Sequence, residues 1–114
     1  MTTYVRIQDR QYGTDSLFDR DRLSYDMMAR DETARRGVSV CTDLDALMDY
    51  YIQCPIEIGD DPVIITLEGE PSGDTPLDAD MGEYLIHATK IISVISAEDA
   101  GFYDGINERL GDDL

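Results

Sequence analysis

The feature that most constrains this chain is the stretch of residues 57–83, which carries nine acidic residues and no lysine or arginine. Within it lies one apolar run of five residues, Val63–Leu67. The run is rich in β-branched residues and apolar enough for a central strand of a sheet. The carboxylates around it form a field of one sign, which raises solubility and favours encounters with basic surfaces. The pattern therefore predicts a buried strand flanked by acidic, solvated segments.

Length and charge narrow the class of protein. A chain of 114 residues has the size of one domain. It includes 25 acidic and 9 basic residues, which gives a formal charge of −16. Direct binding to nucleic acid is excluded, because phosphates attract clustered Lys and Arg and would repel this chain. No apolar run is long enough to cross a membrane, and the N-terminal residues lack the apolar core of a signal peptide. We expect a cytoplasmic protein.

Alternating and apolar runs predict about five strands. The third strand is the central run of residues 63–67, and the others flank it in the chain. Residues 69–82 contain Gly, Pro, Asp and Ser without periodicity, which is typical of a long acidic loop. The remaining strands are predicted at Thr3–Ile7, Gly37–Cys41, Glu83–His87 and Ile91–Ile95.

Helical spacing predicts two or three helices. The clearest begins after Thr42 as N-cap, with apolar residues at 44, 47, 48, 51 and 52. A second is expected from Asp15 to a point before Gly37, and a third from Ser96, with Phe102, Tyr103, Ile106 and Leu110 as its apolar face. The sequence thus predicts one α+β domain over residues 1–114, with a mixed or antiparallel sheet.

Charge is unevenly distributed along the chain. Residues 1–36 hold seven Arg and seven acids, so the whole −16 lies in residues 37–114. Three interpretations are open: a solvated surface without special purpose, a docking face for a basic protein, and adaptation to salt, since the chain has 18 Asp and a single lysine, Lys90. The docking hypothesis assigns the contacts to Asp60, Asp61, Glu68, Glu70, Asp74, Asp78 and Asp80.

Few residues are suited to cofactor or metal chemistry. The sequence has no phosphate-binding Gly-rich loop and no nucleophile elbow, and its single histidine, His87, has no partner motif. We expect His87 to be an ordinary side chain. Cys41 and Cys54 are too few for a disulfide framework and lack zinc-ligand spacing, so free thiols that pack as small apolar groups are expected. No metal site is predicted.

The order of elements resembles an enzyme family. The strand and helix from Gly37 to Tyr51, the strand Val63–Leu67 and the strands that begin at Gly82 and Ile91 look like the core of ADP-ribosyltransferase-like domains. The resemblance spans about half of the chain and implies NAD as cofactor. It also implies that Arg6 holds NAD, that Ser39 lies near the nicotinamide, and that Glu83 is the catalytic carboxylate. A guanidinium can fix phosphate or ribose oxygens, and a carboxylate can hold ribose hydroxyls.

In size and charge the chain also resembles small acidic DNA-mimic inhibitors of the anti-CRISPR and antirestriction type. That resemblance implies a protein-binding inhibitor without cofactor. Its carboxylates would replace phosphates in the basic groove of a nucleic-acid-binding protein. This is the preferred hypothesis, and an ADP-ribosyltransferase or an inactive relic of one is the alternative. A halotolerant or accessory domain is a third possibility.

Overall fold

Four strands form one open antiparallel sheet in the computed structural model, with two helices packed against it. The structure describes residues 2–19, 23–24, 35–53, 58–74, 79 and 82–111. The sheet has the order β1–β5–β6–β4, and a separate two-residue ladder joins β2 to β3. The elements are β1 (Thr3–Asp9), β2 (Leu23–Ser24), β3 (Arg35–Arg36), β4 (Val38–Val40), α1 (Leu44–Gln53), β5 (Pro62–Pro71), β6 (Tyr84–Ser96) and α2 (Phe102–Gly111).

The apolar run that dominates the sequence is the centre of this sheet. β5 pairs with β1 on one side and with β6 on the other. Ile65 and Leu67 are completely shielded from solvent. β5 extends to Pro71, so the first residues of the predicted loop 69–82 are strand, and Ser72–Asp74 follow without regular structure. The prediction of a central strand is confirmed.

The two strands predicted at residues 83–87 and 91–95 are one strand of 13 residues, β6. Its pairing with β5 shifts register twice, so that Thr89 and Ile92 are extra residues of β6 in this register. Such bulges place two residues opposite one and interrupt the alternation of side chains. The broken alternation suggested two strands, but Ala88, Thr89 and Lys90 between them contain none of the Gly, Pro, Asn or Asp that a tight turn needs.

Side chains on the two faces of the sheet form two separate cores. The helices cover one face, where Val5, Ile7 and Ile64 pack with residues of α1 and α2. On the other face, a 3₁₀ turn at Asp15–Phe18 places Leu17 in the core. The members of that second core are Tyr4, Leu17, Val38, Val40, Val63, Ile65, Leu67, Ile86 and Ala88.

The two edge strands meet at one end of the sheet. Val5 and Cys41 exchange two backbone hydrogen bonds, of 2.8 and 2.9 Å, directly after the end of β4. This bridge brings the middle of β1 beside β4, although the two strands are at opposite ends of the strand order. Residues of β1, β4 and the start of β6 are therefore close together.

Both helix starts differ from the prediction by a few residues. Asp43, not Thr42, caps α1, because its carboxylate accepts from the backbone N–H of Ala46 at 2.8 Å. Ser96 caps a turn, accepting from the N–H of Asp99 at 3.0 Å, and α2 begins only at Phe102. Phe102 is buried as predicted, whereas Tyr103 and Leu110 are exposed.

The helix predicted from Asp15 to a point before Gly37 is wrong in its described parts. Residues 15–18 form the 3₁₀ turn, and residues 23–24 pair with residues 35–36 as strands. Leu17, one of the apolar residues that predicted this helix, is buried by the 3₁₀ turn. The α+β class is confirmed, with a four-stranded antiparallel sheet and two helices in place of five strands and a third helix. Within the described residues, no helix has the length and apolar character to span a membrane.

Candidate functional sites

The structure brings Arg6, Ser39 and Glu83 together at the junction of β1, β4 and β6. The Ser39 hydroxyl donates to Glu83 Oε2 at 2.5 Å. Arg6 Nη1 donates to the backbone oxygen of Ser39 at 3.0 Å. All three residues are half-buried. The alternative hypothesis predicted a cleft lined by these three, and they form a hydrogen-bonded cluster, called the strand-junction cluster below.

Two further contacts hold Arg6 in place. Its Nε donates to Gln8 Oε1 at 2.8 Å, and Gln8 Nε2 donates to the backbone oxygen of Gly13 at 2.6 Å. Gln8 is buried, so this chain of hydrogen bonds fixes the guanidinium against the edge of β4. The cluster thus places a positively charged group and a serine hydroxyl bonded to a carboxylate within one short segment of surface. Such a hydroxyl–carboxylate pair can orient a sugar hydroxyl or polarise a nucleophile.

Cys41 lies beside this cluster and is chemically quiet. Burial, together with the charges of Glu83 and Asp43, raises the pKa of the Cys41 thiol to about 12. At neutral pH the thiol stays protonated and is a poor nucleophile. The expectation that Cys41 packs as a small apolar group is confirmed; Cys54 lies outside the described residues.

The acids assigned to the docking hypothesis lie towards the two ends of β5. Asp60 and Asp61 precede the strand, whereas Glu68 and Glu70 lie in its last four residues and Asp74 follows it. At about 3.3 Å per residue, the ends of β5 are roughly 30 Å apart. Asp78 and Asp80 lie outside the described residues.

Two of these acids have partners within the chain. Asp61 forms an ion pair with Arg10 at 2.9 Å, and Asp74 accepts from the backbone N–H of Arg36 at 2.7 Å. Glu68 is half-buried opposite Lys90 in the register of β5 and β6. Asp60 and Glu70 are exposed. The set is therefore split in space and partly engaged.

A second acidic surface, which the sequence analysis missed, covers the helices. We call residues 42–53 and 97–111 the helix layer; they contain seven acids and one basic residue, Arg109, for a net charge of 1 − 7 = −6. All seven acids are exposed. The i, i+4 spacing on each helix was the signal, because residues four apart lie on one helical face. The seven are Asp43, Asp45, Asp49, Glu98, Asp99, Asp104 and Glu108.

Arg109 joins the two helices across this surface. Its Nε donates to Asp49 at 2.9 Å and its Nη2 to Asp45 at 3.3 Å. The hydrogen bond that Arg109 donates to Asp49, with that to Asp45, raises the pKa of Arg109. A glycine on the same face of α2 allows the helices to approach, since a Cβ at Gly105 would overlap the Met48 sulfur. Arg109 therefore neutralises part of the α1 charge, and the other carboxylates of the layer face solvent.

The described residues around His87 do not form a further candidate site. His87 is half-buried in β6 opposite Glu70. Its Nδ1 has no hydrogen-bond partner within the described part of the chain. Across the same residues, no three His, Cys, Asp or Glu side chains are grouped so that they would hold a metal ion.

Comparisons with known proteins do not connect the chain to a family. No family model, curated protein or solved structure matches it.

Proposed function

We propose that the protein inhibits a nucleic-acid-binding protein by docking its carboxylates on the basic surface that the nucleic acid would occupy. The observation that carries this proposal is the helix layer, where seven exposed acids accompany a single arginine. Two packed helices already hold the backbone positions of these carboxylates, so that binding does not have to order the backbone. A cytoplasmic location is part of the proposal.

The charge of the chain fits this kind of partner. A field of one sign speeds encounter with a basic groove and weakens with salt. The acids near the ends of β5 add to the same negative field. Asp61 and Asp74 are already bonded to Arg10 and to the Arg36 backbone, so they would interact less strongly with a partner. We therefore propose the helix layer as the contact face and the β5 acids as contributors to steering.

Two matched charge variants test which surface binds. One neutralises four acids of the helix layer, with Glu98→Gln, Asp99→Asn, Asp104→Asn and Glu108→Gln. The other neutralises four acids near the ends of β5, with Asp60→Asn, Asp61→Asn, Glu70→Gln and Asp74→Asn. Both change the net charge by the same amount, so a difference between them reports position rather than total charge.

The assay is displacement of labelled nucleic acid from a panel of basic DNA- and RNA-binding domains, with poly-aspartate as a non-specific polyanion. We expect the protein to displace nucleic acid from one class of domain at least tenfold more effectively than poly-aspartate does. Four exposed pairs at about 0.2–1 kcal/mol each predict a roughly 4- to 900-fold loss for the helix-layer variant, and a smaller loss for the β5 variant. Displacement equal to that of poly-aspartate on every domain would contradict the proposal.

A second candidate function rests on the strand-junction cluster. The ADP-ribosyltransferase resemblance selected Arg6, Ser39 and Glu83 from three separate parts of the chain. The Ser39 hydroxyl is hydrogen-bonded to Glu83, and Arg6 is hydrogen-bonded to the Ser39 backbone oxygen. As a proposal, Arg6 would hold a phosphate or ribose oxygen of NAD, and Glu83 would hold a ribose hydroxyl that replaces the Ser39 hydroxyl.

NAD itself tests this second candidate. Binding would raise the melting temperature at saturating NAD, and hydrolysis would release nicotinamide. Glu83→Gln should abolish hydrolysis. The helix-layer variant with its four substitutions is the control, because it leaves the strand-junction cluster intact. Absence of both a thermal shift and hydrolysis would remove the enzyme hypothesis and leave the docking proposal unaffected.

A further inference from the structure

The C-terminal half of β6 has one unpaired edge. Along one side, β6 pairs with β5 from Ile86 to Ser96. Along the other, β4 reaches only residues 84–86. Among the residues that the structure describes, no strand pairs with residues 91–96 on that second side. We call Ile91–Ser96 the outer edge of β6.

This edge is apolar and exposed. Ile92, Val94 and Ile95 retain 46%, 37% and 44% of their accessible surface. Residues 91–97 contain no charged residue in a chain that is 30% charged. Natural edge strands are usually protected by lysine, proline, charged side chains or bulges, and of these the edge has only the bulge at Ile92. Unpaired backbone groups and exposed apolar side chains together mark an interaction surface.

We propose that this edge pairs antiparallel with the same edge of a second copy of the chain. The charges at its ends make it complementary to itself, because Lys90 precedes the uncharged stretch and Glu98 follows it. When Val94 lies opposite Val94 of the second copy, Lys90 of each copy lies towards the turn that follows the other copy's strand, where Glu98 is located. The resulting two-fold interface is the usual form of a homodimer.

Total charge sets the salt dependence of this dimer. Two copies of charge −16 repel each other over distances that salt screens. The outer edge of β6 adds no charge of its own to this repulsion, and backbone pairing and apolar contact are insensitive to salt. Dimerisation should therefore strengthen as salt rises, whereas docking to a basic partner should weaken. The two associations can be separated in one titration.

Sedimentation velocity over a range of protein and salt concentrations tests the dimer. The 12.8 kDa chain should sediment with a rising average mass as its concentration increases, and further when NaCl is raised from 0.05 to 0.5 M in our design, which shortens the screening length from roughly 14 Å to roughly 4 Å. Ile92→Lys should lower the dimer association constant at least tenfold. Leu110→Lys, at an equally exposed position on α2, should leave it within twofold after correction for charge.

Cross-linking tests the register independently of that variant. Directly opposite residues of an antiparallel pair have Cβ atoms about 5 Å apart, which a disulfide can bridge. Val94→Cys should therefore give a covalent dimer on mild oxidation. Ile92→Cys should not, because two copies of residue 92 would be four residues, or about 13 Å, apart. The wild-type chain is the control for its own cysteines.

The ends of the edge provide a charge-reversal test. Lys90→Glu or Glu98→Lys alone should weaken the dimer, and the two together should restore it. A monomer at every concentration and salt would overturn the proposal. So would a dimer that Ile92→Lys leaves unchanged, or cross-linking at residue 92 but not at residue 94.

Discussion

The helix layer and the outer edge of β6 differ sharply in charge. The helix layer carries a net charge of −6 on exposed side chains, whereas residues 91–97 carry none. Both surfaces lie on one small domain and contact the same central strand, β5. The helix layer packs against Ile64 of that strand, whereas β6 pairs with it along the sheet. The difference teaches that the acidity of the chain is segregated. One surface suits a cationic partner, and the other suits contacts that a charged surface would prevent.

The largest expected effect separates the two regions by stability. Phe102 anchors the helix layer, with 1% of its surface exposed and an edge-on contact to Tyr51 at 5.3 Å between ring centroids. Phe102→Ala should lower the free energy of unfolding by about 3–5 kcal/mol, because it removes a buried ring and leaves a cavity. Denaturant melts measure the loss. Tyr103→Ala, at an exposed ring beside it, should cost much less; equal losses would mean that α2 is not anchored through Phe102.

A smaller effect is expected where the helices touch. Gly105→Leu should destabilise the fold by about 1–3 kcal/mol, because its side chain would displace Met48 from the core. Gly111→Ala, at a position on α2 with open space, should stabilise it by about 0.5 kcal/mol through helix propensity. Thermal melts of the pair compare them directly. A stabilising Gly105→Leu would show that the helices are not closely packed.

Removal of the arginine between the helices tests the electrostatics of the layer. Arg109→Met should lower the melting temperature at low salt, since Asp45 and Asp49 lose their partner and repel each other. The loss should shrink in 1 M NaCl as the repulsion is screened. Arg10→Met, which removes a single exposed pair with Asp61, should have the smaller effect. A loss that is independent of salt would indicate packing rather than charge.

The smallest effect is expected at the outer edge of β6. Ile92→Ala should change the free energy of unfolding of the monomer by no more than about 0.5 kcal/mol, because the side chain lies at a bulge and is largely exposed. Measurement at a concentration where the chain is monomeric checks this. A loss comparable to that of Phe102→Ala would place Ile92 in the core and remove the contrast between the two regions.

The sequence predicted the parts of the fold that local pattern determines. β1, β4, β5 and α1 lie where alternation or helical spacing placed them, because each buries one face or is central. β6 was divided because bulges at Thr89 and Ile92 depend on pairing with β5, which no local pattern records. The predicted helix before Gly37 failed in its described parts because a 3₁₀ turn buries Leu17 and residues 23–24 pair as a strand.

Prediction of the sites was uneven for a related reason. The juxtaposition of Arg6, Ser39 and Glu83 came from the order of elements, and the Val5–Cys41 bridge provides it in the structure. The docking acids were chosen from a charge run along the chain, whereas the acidic helix layer is built from two helices that are separated by residues 54–101, which is 101 − 53 = 48 residues. Charge that converges through tertiary packing leaves no run in the sequence.

The two bulges in β6 determine where this domain tolerates a change in length. At Thr89 and Ile92 two residues already oppose one. Deletion of either residue would make the ladder regular at that point, and all remaining side chains of β6 would keep their face of the sheet. Loss of a residue elsewhere in the strand would turn buried residues outwards. Length variants of this domain that still fold should therefore have their gaps at these two positions.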